Sequence, residues 1–505
     1  PSQRSRTLTQ YAALERCVPS TEVFVTAFSS RLGIGRRRFM LSAGAGLSGA
    51  ALAACGPQAP GGSGGEAGAN TPLEKRPAMK LEFWGGPPAA GQRNGRVDQI
   101  EFWNKKYPNI QIDFAMGQNS TSQGVAAVAA IVSAVAAGNP PDVIDFDRFQ
   151  TASYAIKSVW HPLDDMMKRD KYDANRFAPL IIPEAKGLDG KWYAMIRSTD
   201  VRLLYWNKEA FQEVGLPPDK APATWDEFKQ AAIRLTKKGG ANGYERLGFT
   251  SQHSQAHYHI FAWQSGGSFQ TADGKKATLP LGPNQEALQW MADLMKDLGG
   301  WDTAETFRKS FSTNAQDPFV VNQLAMQYAT NGTVGTIAQF RPDMKLGIAQ
   351  PPLKKAGDKP VSWSGGHGYN MTAGSKNKDV SWELMKWLIS EEGFIVDNDG
   401  NLGRAKALGN TYIPGMTGQP ELDKKLFAKY KTGIPALDAV VDVAIPLMQN
   451  SRVREPSIAA QHLWDGIKLS QTEAISQVKS AKQALEDNQA MIQKELDQAW
   501  STAPK

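Results

Sequence analysis

Cysteine is almost absent from this sequence: Cys17 and Cys55 are the only two among 505 residues. A disulfide framework needs several cysteines, so a hydrophobic core must hold the chain together. A hydrophobic content of 41% is sufficient for such a core. We expect two or more lobes, because a single core rarely extends beyond about 300 residues.

A strongly basic surface is also lacking, although the formal net charge is +7. The first 54 residues contain seven arginines and two glutamates, which leaves a charge of +2 for the rest of the chain. No long basic stripe interleaved with aromatic residues occurs there, and such a stripe is typical of nucleic-acid-binding proteins. We therefore expect no nucleic acid partner.

Basic, apolar and small residues follow one another near the N-terminus in the order of an export signal. Arg36-Arg37-Arg38-Phe39 fits the twin-arginine pattern, and a short run rich in Gly, Ala and Leu follows at 41–54. The run is too short to span a bilayer. It ends in Leu52-Ala53-Ala54-Cys55, which resembles the lipobox of bacterial lipoproteins.

These features predict a twin-arginine lipoprotein signal over residues 1–54 and lipid attachment at Cys55. The mature protein would then contain no internal disulfide, because Cys17 is removed with the signal. The stretch 55–78 is rich in Gly, Pro and Ala and is predicted to be a flexible tether.

Strand and helix patterns alternate after the tether, with strands predicted at 79–84, 110–116 and 142–146 and helices at 93–107 and 123–137. This order predicts an α/β fold with open sheets flanked by helices. Ligands bind such sheets beyond the carboxyl ends of the strands.

The C-terminal third is predicted to be helical, at 379–390, 422–430 and 436–448 and in one long final helix. An apolar stripe marks that last helix: Ile475, Val478, Leu485, Ile492 and Leu496. The stripe favours packing against the core of its own lobe over a coiled-coil seam.

Five separated stretches between residues 138 and 390 resemble the family-1 extracellular solute-binding proteins, the maltose-binding-protein type. The first is Gly138-Asn-Pro-Pro-Asp-Val-Ile-Asp-Phe-Asp147-Arg148-Phe149, whose Asp-Arg pair is similar to a sugar-contacting pair of that family. The others are 192–217, 222–228 (Pro-Ala-Thr-Trp-Asp-Glu-Phe), 324–332 and 365–390 (beginning Gly-Gly-His-Gly-Tyr).

The resemblance implies a type II periplasmic-binding-protein fold, with two α/β lobes and a ligand cleft between them. The lobes would comprise 79–200 with 365–405, and 201–364 with 406–505. It further implies a monomeric binding protein, exported to the extracytoplasmic face of a bacterial membrane, that needs no cofactor. By hinge closure it would capture a carbohydrate and deliver it to an ABC transporter permease.

A carbohydrate site needs forked polar groups beside flat aromatic rings. Ten positions match that need and are predicted to bind ligand: Trp84, Asn119, Asp147, Arg148, Gln252, His253, Asn331, Trp363, His367 and Tyr369. Asp147 and Arg148 follow a predicted strand and should project into the cleft, and Trp363 is expected to be a stacking platform.

Some positions depart from the family pattern near the expected cleft: Ile196-Arg197, Thr333-Val334 and Gly403-Arg404. If Arg197 and Arg404 both line the cleft, an acidic sugar is favoured. The spacing of His253, His257 and His259 is compatible with a metal site, but no cysteine or carboxylate completes the set, so no metal is predicted.

Two alternatives for the function remain open. A secreted carbohydrate-active enzyme would need two carboxylates facing each other across the cleft, a pattern that has no fixed spacing in sequence. The other alternative is a binding protein for a solute that is not a sugar.

Overall fold

The predicted alternation of strands and helices begins at Met79 and continues through the N-terminal half of the chain. The computed structural model describes residues 71–85, 93–115, 125–240, 243–253, 255–312 and 314–503. These belong to one compact unit that comprises residues 64–505. The predicted signal, Cys55 and Asn119 therefore lie outside the described residues.

Eleven strands occur among the described residues: β1 Met79–Trp84, β2 Ile110–Ala115, β3 Val143–Asp147, β4 Ala194–Ile196, β5 Asp200–Asn207, β6 Lys237–Lys238, β7 Tyr244–Arg246, β8 Met326–Thr330, β9 Leu346–Ala349, β10 Ser364–Gly365 and β11 His367–Met371. The three strands predicted at the start of the chain match β1, β2 and β3 to within one residue at each end.

The α-helices of the described residues up to 340 are α1 Gly95–Lys106, α2 Val125–Ala136, α3 Thr151–Ala155, α4 Asp164–Arg169, α5 Lys208–Glu213, α6 Trp225–Leu235, α7 Tyr258–Gln264, α8 Gly282–Asp297, α9 Gly300–Lys309 and α10 Thr333–Phe340. Those that follow are α11 Lys378–Leu388, α12 Glu391–Ala407, α13 Pro420–Lys429, α14 Pro435–Asp438, α15 Val440–Met448, α16 Ala460–Ile475 and α17 Ala481–Thr502.

The first sheet has the strand order β2-β1-β3-β11-β4. The strands β1, β2 and β3 are parallel, whereas β11 runs antiparallel to β3 and β4. Every residue of β3 is buried, as expected for a central strand covered on both faces. The helices α1 and α12 pack against each other beside this sheet.

The second sheet is built around β5, which pairs antiparallel with β10, β8 and β9. The helices α14 and α15 pack against β9 and β5, and α16 and α17 pack against each other and against α8. Two sheets flanked by helices confirm the predicted α/β fold.

Two chain crossings join the sheets next to each other. Residues 197–199 connect β4 to β5, and Gly366 alone connects β10 to β11. Gly366 has a φ of +136°, and a Cβ atom there would lie 2.3 Å from the carbonyl oxygen of Ser198. A glycine is therefore required for the two crossings to pass this close.

The final helix is long, as predicted, but it begins only at Ala481, because the chain breaks between α16 and α17, so Ile475 and Val478 do not belong to it. Gln477 has a φ of +60° in this break, and Val478, placed on the predicted stripe, is 74% exposed. Leu485, Ile492 and Leu496 are buried in the core of the second sheet's helices, which confirms core packing over a coiled coil for α17.

None of the described helices is both long enough and apolar enough to cross a bilayer.

Candidate functional site: a cavity at the chain crossings

A cavity of about 460 Å³ lies beside the two crossings and is called the main cavity. The first sheet and the residues after β3 contribute Asp147, Phe149, Gln150 and His367. The other side is formed by the β5 residues Asp200 and Arg202, by Trp363, and by three residues of α16: Gln461, Trp464 and Lys468. A volume of this size is in the range of small-molecule sites, about 300–1,000 Å³.

Asp147 lies at the carboxyl end of β3, where the sequence placed it. Its Oδ1 accepts a hydrogen bond from Arg454 Nη2 at 3.0 Å and a longer one from the Phe149 N–H at 3.4 Å. Because both donors are fixed by the fold, the carboxylate is held in one orientation at the cavity wall.

Arg148 does not reach the main cavity, contrary to the prediction that it projects into the cleft. Its side chain is fully buried and donates to the carbonyl oxygens of Ser198 and Gly365, the latter at 3.0 Å. Both acceptors lie at the crossings, and Glu184 Oε2 accepts a further bond at 3.4 Å. Arg148 therefore connects the end of β3 to the crossings. Its guanidinium carries several N–H donors and can satisfy several buried acceptors at once.

Arg454 is a cavity residue that the sequence reasoning missed. Its guanidinium carbon lies 3.7 Å from the centre of the Phe149 ring and 5.2 Å from that of Trp363. Its Nε lies 3.6 Å from Glu184 Oε1. Burial raises the pKa of Glu184 to about 7, against the opposite influence of Arg454 and Arg148.

Trp363 lines the main cavity, but one face of its ring is covered. The guanidinium carbon of Arg202 lies 3.3 Å from the ring centre, and the residue is only 5% exposed. Trp464 is half-buried, and its ring centre lies 5.3 Å from that of Trp363. Trp464 is therefore the better stacking platform, since more of its ring reaches the cavity.

Trp464 belongs to a stripe on α16 that also contains Gln461 and Lys468. The spacings of three and four residues place all three side chains on one helical face, while Leu463 and Ile467 are buried in the core. This periodicity is visible in the sequence, but nothing in it shows which polar face of a helix turns towards a ligand.

Two histidines extend the aromatic side of the cavity. The ring of His257 lies 5.4 Å from both Trp363 and Trp464, centre to centre. Burial, with the nearby charges of Arg202, Lys468 and Arg454, lowers the pKa of His257 to about 3. His259 is fully buried behind it. Among the residues that the structure describes, no group of three or more His, Cys, Asp or Glu side chains could hold a metal.

His367 lines the main cavity and is held from behind by Asp145. The His367 Nδ1 lies 2.9 Å from Asp145 Oδ1, and Arg197 Nε lies 3.1 Å from Asp145 Oδ2. Although burial alone would raise it, Arg197, Arg96 and His367 hold the pKa of Asp145 well below its usual value.

Gln252 and His253 line a second cavity of about 450 Å³ instead of the main one. His253 Nε2 lies 2.9 Å from Asp317 Oδ2. The Gln252 Oε1 accepts from the Thr250 hydroxyl at 2.6 Å, and its Nε2 is buried with no hydrogen-bond partner among the described residues. Gln255 contributes to the walls of both cavities.

The other predicted residues lie elsewhere. Asn331 is buried, and its side-chain oxygen accepts from the Val201 N–H at 3.0 Å. Tyr369 is buried edge-on to Phe83, and Trp84 packs beside the hydrophobic cluster around Ile144. Arg404 donates to Asp98 at 2.7 Å, and neither it nor Arg197 lines the main cavity. An acidic sugar was favoured only if Arg197 and Arg404 both line the cleft, and these two arginines do not meet that condition at the main cavity.

Comparison with known proteins assigns the chain to a family. Residues 88–393 match the bacterial extracellular solute-binding protein family, and the chain belongs to it. The arabinooligosaccharide-binding protein of Bacillus subtilis is 22% identical over 59% of this chain and 66% of its own length. The sn-glycerol-3-phosphate-binding periplasmic protein UgpB of Brucella abortus is 25% identical over 54% of this chain and 61% of its own length.

The fold is also that of known binding proteins. A structure of CpMnBP1 with mannobiose bound superimposes with a TM-score of 0.65, covering 82% of this chain and 99% of that chain at 23% identity. The sugar-binding protein MalE of Xanthomonas citri superimposes with a TM-score of 0.64 over 83% of this chain and 98% of its own, at 17% identity. These superpositions confirm the predicted two-lobe fold.

Proposed function

We propose that this protein captures a carbohydrate in the main cavity and delivers it to the permease of an ABC importer. The observation that carries the proposal is the half-buried ring of Trp464 in the same cavity as the oriented carboxylate of Asp147. A sugar presents an apolar C–H face to such a ring and hydroxyl donors to such a carboxylate. The sugar ligands named for several relatives and structural neighbours support this choice.

Closure of two lobes would complete the site. The first lobe would comprise 79–200 with 365–405 and the second 201–364 with 406–505, and the sheets on either side of the crossings support this division. A ligand drives closure only through contacts that are better in the closed state. The main cavity fits this requirement, because side chains from both sheets line it.

The cavity carboxylates favour binding without catalysis. Asp147 and Asp200 both line the cavity, as a glycosidase pair would, but Asp147 is ion-paired with Arg454 and Asp200 with Arg202. Each carboxylate is therefore already engaged by a guanidinium, an arrangement that suits the acceptance of hydrogen bonds from sugar hydroxyls.

The deciding experiment is calorimetric titration of the purified protein with a panel of solutes. The panel contains mannose, mannobiose, arabinooligosaccharides, uronic acids, glycerol 3-phosphate, amino acids and peptides. Charged sugars are included because three cationic and two acidic side chains line the cavity. We expect saturable binding of one sugar class and an unchanged sugar after overnight incubation.

Other outcomes would select the alternatives. Slow cleavage of the bound sugar would indicate a carbohydrate-active enzyme. Binding of amino acids or peptides alone would keep the fold and overturn the carbohydrate assignment.

We also propose that residues 1–54 form a twin-arginine signal and that Cys55 carries the lipid anchor. Two or more acyl chains hold a protein stably at a membrane, whereas one does so only marginally. Expression of the full chain in a bacterial host tests this. The wild type should fractionate with membranes and Cys55→Ser should not, while a membrane-bound Cys55→Ser protein would contradict the lipid anchor.

A further inference from the structure

The charges on the walls of the main cavity do not balance. Its lining contains three cationic and two acidic side chains: Arg202, Arg454, Lys468, Asp147 and Asp200. Asp200 is ion-paired with Arg202, and Asp147 is ion-paired with Arg454 at 3.0 Å. The ammonium group of Lys468 has no ion pair and no hydrogen bond among the described residues. The cavity walls therefore carry one positive charge in excess.

No neighbouring carboxylate cancels this excess. Behind the wall, Glu184 lies beside both Arg148 and Arg454, so the buried pair of Glu184 and Arg148 adds one charge of each sign. Along α16, the nearest carboxylate to Lys468 is Asp465, and its Oδ1 accepts from the Gln461 side chain at 2.9 Å. The partner of Lys468 is therefore missing from the described residues.

Arg454 also retains an unused donor. Its Nη2 donates to Asp147, and its Nε lies 3.6 Å from Glu184 Oε1. Its Nη1 donates to no acceptor among the described residues, although the side chain is only 11% exposed. A guanidinium has five N–H donors in a fixed fork and binds carboxylates strongly. The main cavity thus contains two cationic side chains with donors to spare.

Both of these cations lie close to Trp464. The guanidinium carbon of Arg454 is 5.3 Å from the centre of the Trp464 ring. Lys468 follows Trp464 by four residues on α16, which places the two side chains on one helical face. An acidic group on a ring stacked against Trp464 is therefore within reach of both cations.

The electrostatics of His257 agree with an excess of positive charge. Burial lowers its pKa to about 3, and Arg202, Lys468 and Arg454 lower it further. The same cations that disfavour a proton on this buried imidazole would attract an anion in the cavity that they line.

We infer that the ligand is an acidic sugar, a uronic acid, whose carboxylate binds Lys468 and the unused donor of Arg454. Its ring stacks on Trp464, and its hydroxyls donate to Asp147 and Asp200. A carboxylate supplies one negative charge, which equals the excess on the walls. This inference rests on the proposed function, because it assumes that the main cavity holds a sugar.

The test is a calorimetric titration with matched pairs of sugars. Glucuronate, galacturonate and mannuronate, and the disaccharides of each, are compared with their neutral counterparts, and glucose 6-phosphate is included as an anionic sugar without a carboxylate. For the sugar that binds, we expect the acid to bind at least about tenfold more tightly than the neutral form.

Three variants locate this preference. Lys468→Met removes the unpaired charge and should reduce the ratio of the two affinities by about threefold to tenfold. Lys468→Arg keeps the charge and should restore most of the ratio. Lys482→Met, at an exposed position of α17 that does not line the main cavity, is the matched control and should keep the wild-type ratio. Melting temperatures measured alongside show whether a variant is folded.

The outcomes separate the two proposals. Equal affinity for an acid and its neutral form, or a preference that Lys468→Met retains in full, overturns this inference and leaves the proposed function intact. Tighter binding of glucose 6-phosphate than of any uronic acid would also overturn it, because the site would then select a phosphate. If neither acidic nor neutral sugars bind, the proposed function fails and this inference falls with it.

Discussion

The two sides of the main cavity differ in what holds their side chains. On the first-sheet side, Asp147 and His367 are each fixed by an ionisable partner, Arg454 at 3.0 Å and Asp145 at 2.9 Å. On the other side, Trp464 and His257 are fixed mainly by ring packing. The two sides of the cavity therefore contribute differently to binding. The paired charges orient hydrogen bonds to the ligand, and the packed rings provide a contact surface that is already in place before the ligand binds.

Replacing Arg148, which supports the first-sheet side of the main cavity, should have the largest effect on stability. Arg148→Met would remove a buried donor from the carbonyl oxygens of Ser198 and Gly365 and one of the two guanidinium groups beside Glu184, and breaking such a pair costs about 3–5 kcal/mol. We expect a loss of that size in the free energy of unfolding, measured by urea denaturation. Arg404→Met, which removes a partly exposed pair with Asp98, should cost less than about 1 kcal/mol. Similar losses in the two variants would refute the supporting role of Arg148.

The aromatic side should dominate ligand affinity. Trp464→Ala removes the stacking platform, and truncation of a central aromatic contact costs about 2 kcal/mol, or roughly thirtyfold in Kd. Titration with the identified sugar measures this. Trp500→Ala, on α17 with its indole bonded to Gly274, should leave Kd unchanged. A Trp464→Ala protein with wild-type affinity would show that Trp464 does not contact the ligand.

On the first-sheet side of the cavity, Asp147 should orient the ligand and should contribute less to affinity than Trp464 does. Asp147→Asn retains the shape but removes the charge-assisted bond to Arg454, and we expect affinity to fall about tenfold. Asp170→Asn, in a partly buried pair with Lys386 that does not line the main cavity, is the control in the same titration. If Asp147→Asn weakens binding more than Trp464→Ala does, the proposed division between the two sides is wrong.

The smallest expected effect is a change in stability with pH, caused by His257 on the aromatic side of the cavity. The pKa of His257 is lowered to about 3 from its usual 6.5, so the unfolded chain binds a proton between these values that the folded protein does not. The free energy of unfolding should therefore fall as the pH drops from about 6.5 towards 3.

His257→Gln, which cannot titrate, should lose about 1 kcal/mol less stability than the wild type between pH 6.5 and 5.5. Urea denaturation at both pH values measures the difference. His462→Gln, at an exposed position of α16, should behave as the wild type. A parallel loss in wild type and His257→Gln would show that His257 is not held neutral by the fold.

Local periodicity explains why the early strands were predictable and why the start of the last helix was not. The strands β1 to β3 show short apolar runs bounded by Gly and Pro, a pattern that depends only on neighbouring residues. The break between α16 and α17 has no proline or glycine to mark it, since it runs Ser476-Gln477-Val478-Lys479-Ser480. The two helices pack against each other across this break, and Ser480 caps the start of α17 by accepting from the Gln483 N–H.

The neighbours Asp147 and Arg148 show the same limit at the cavity. Asp147 ends and Arg148 follows a strand that is buried on both faces, so alternation along the strand could not show which side chain reaches the cavity and which turns inward. The charged segment 452–455 was not predicted to line the cavity. In a sequence, an arginine that packs beside a buried carboxylate cannot be distinguished from one that is exposed to solvent.

By itself the sequence determined the family, the α/β class and the positions of the first strands, and it placed Asp147, Trp363 and His367 among the candidate ligand-binding residues. Only the tertiary structure decided that Arg454 meets Asp147 across 307 residues of chain, that Arg148 is buried, and that Trp464 lies in the main cavity. The physical reason is that hydrophobic periodicity is a local property, whereas a binding site is made of side chains brought together by packing between distant elements.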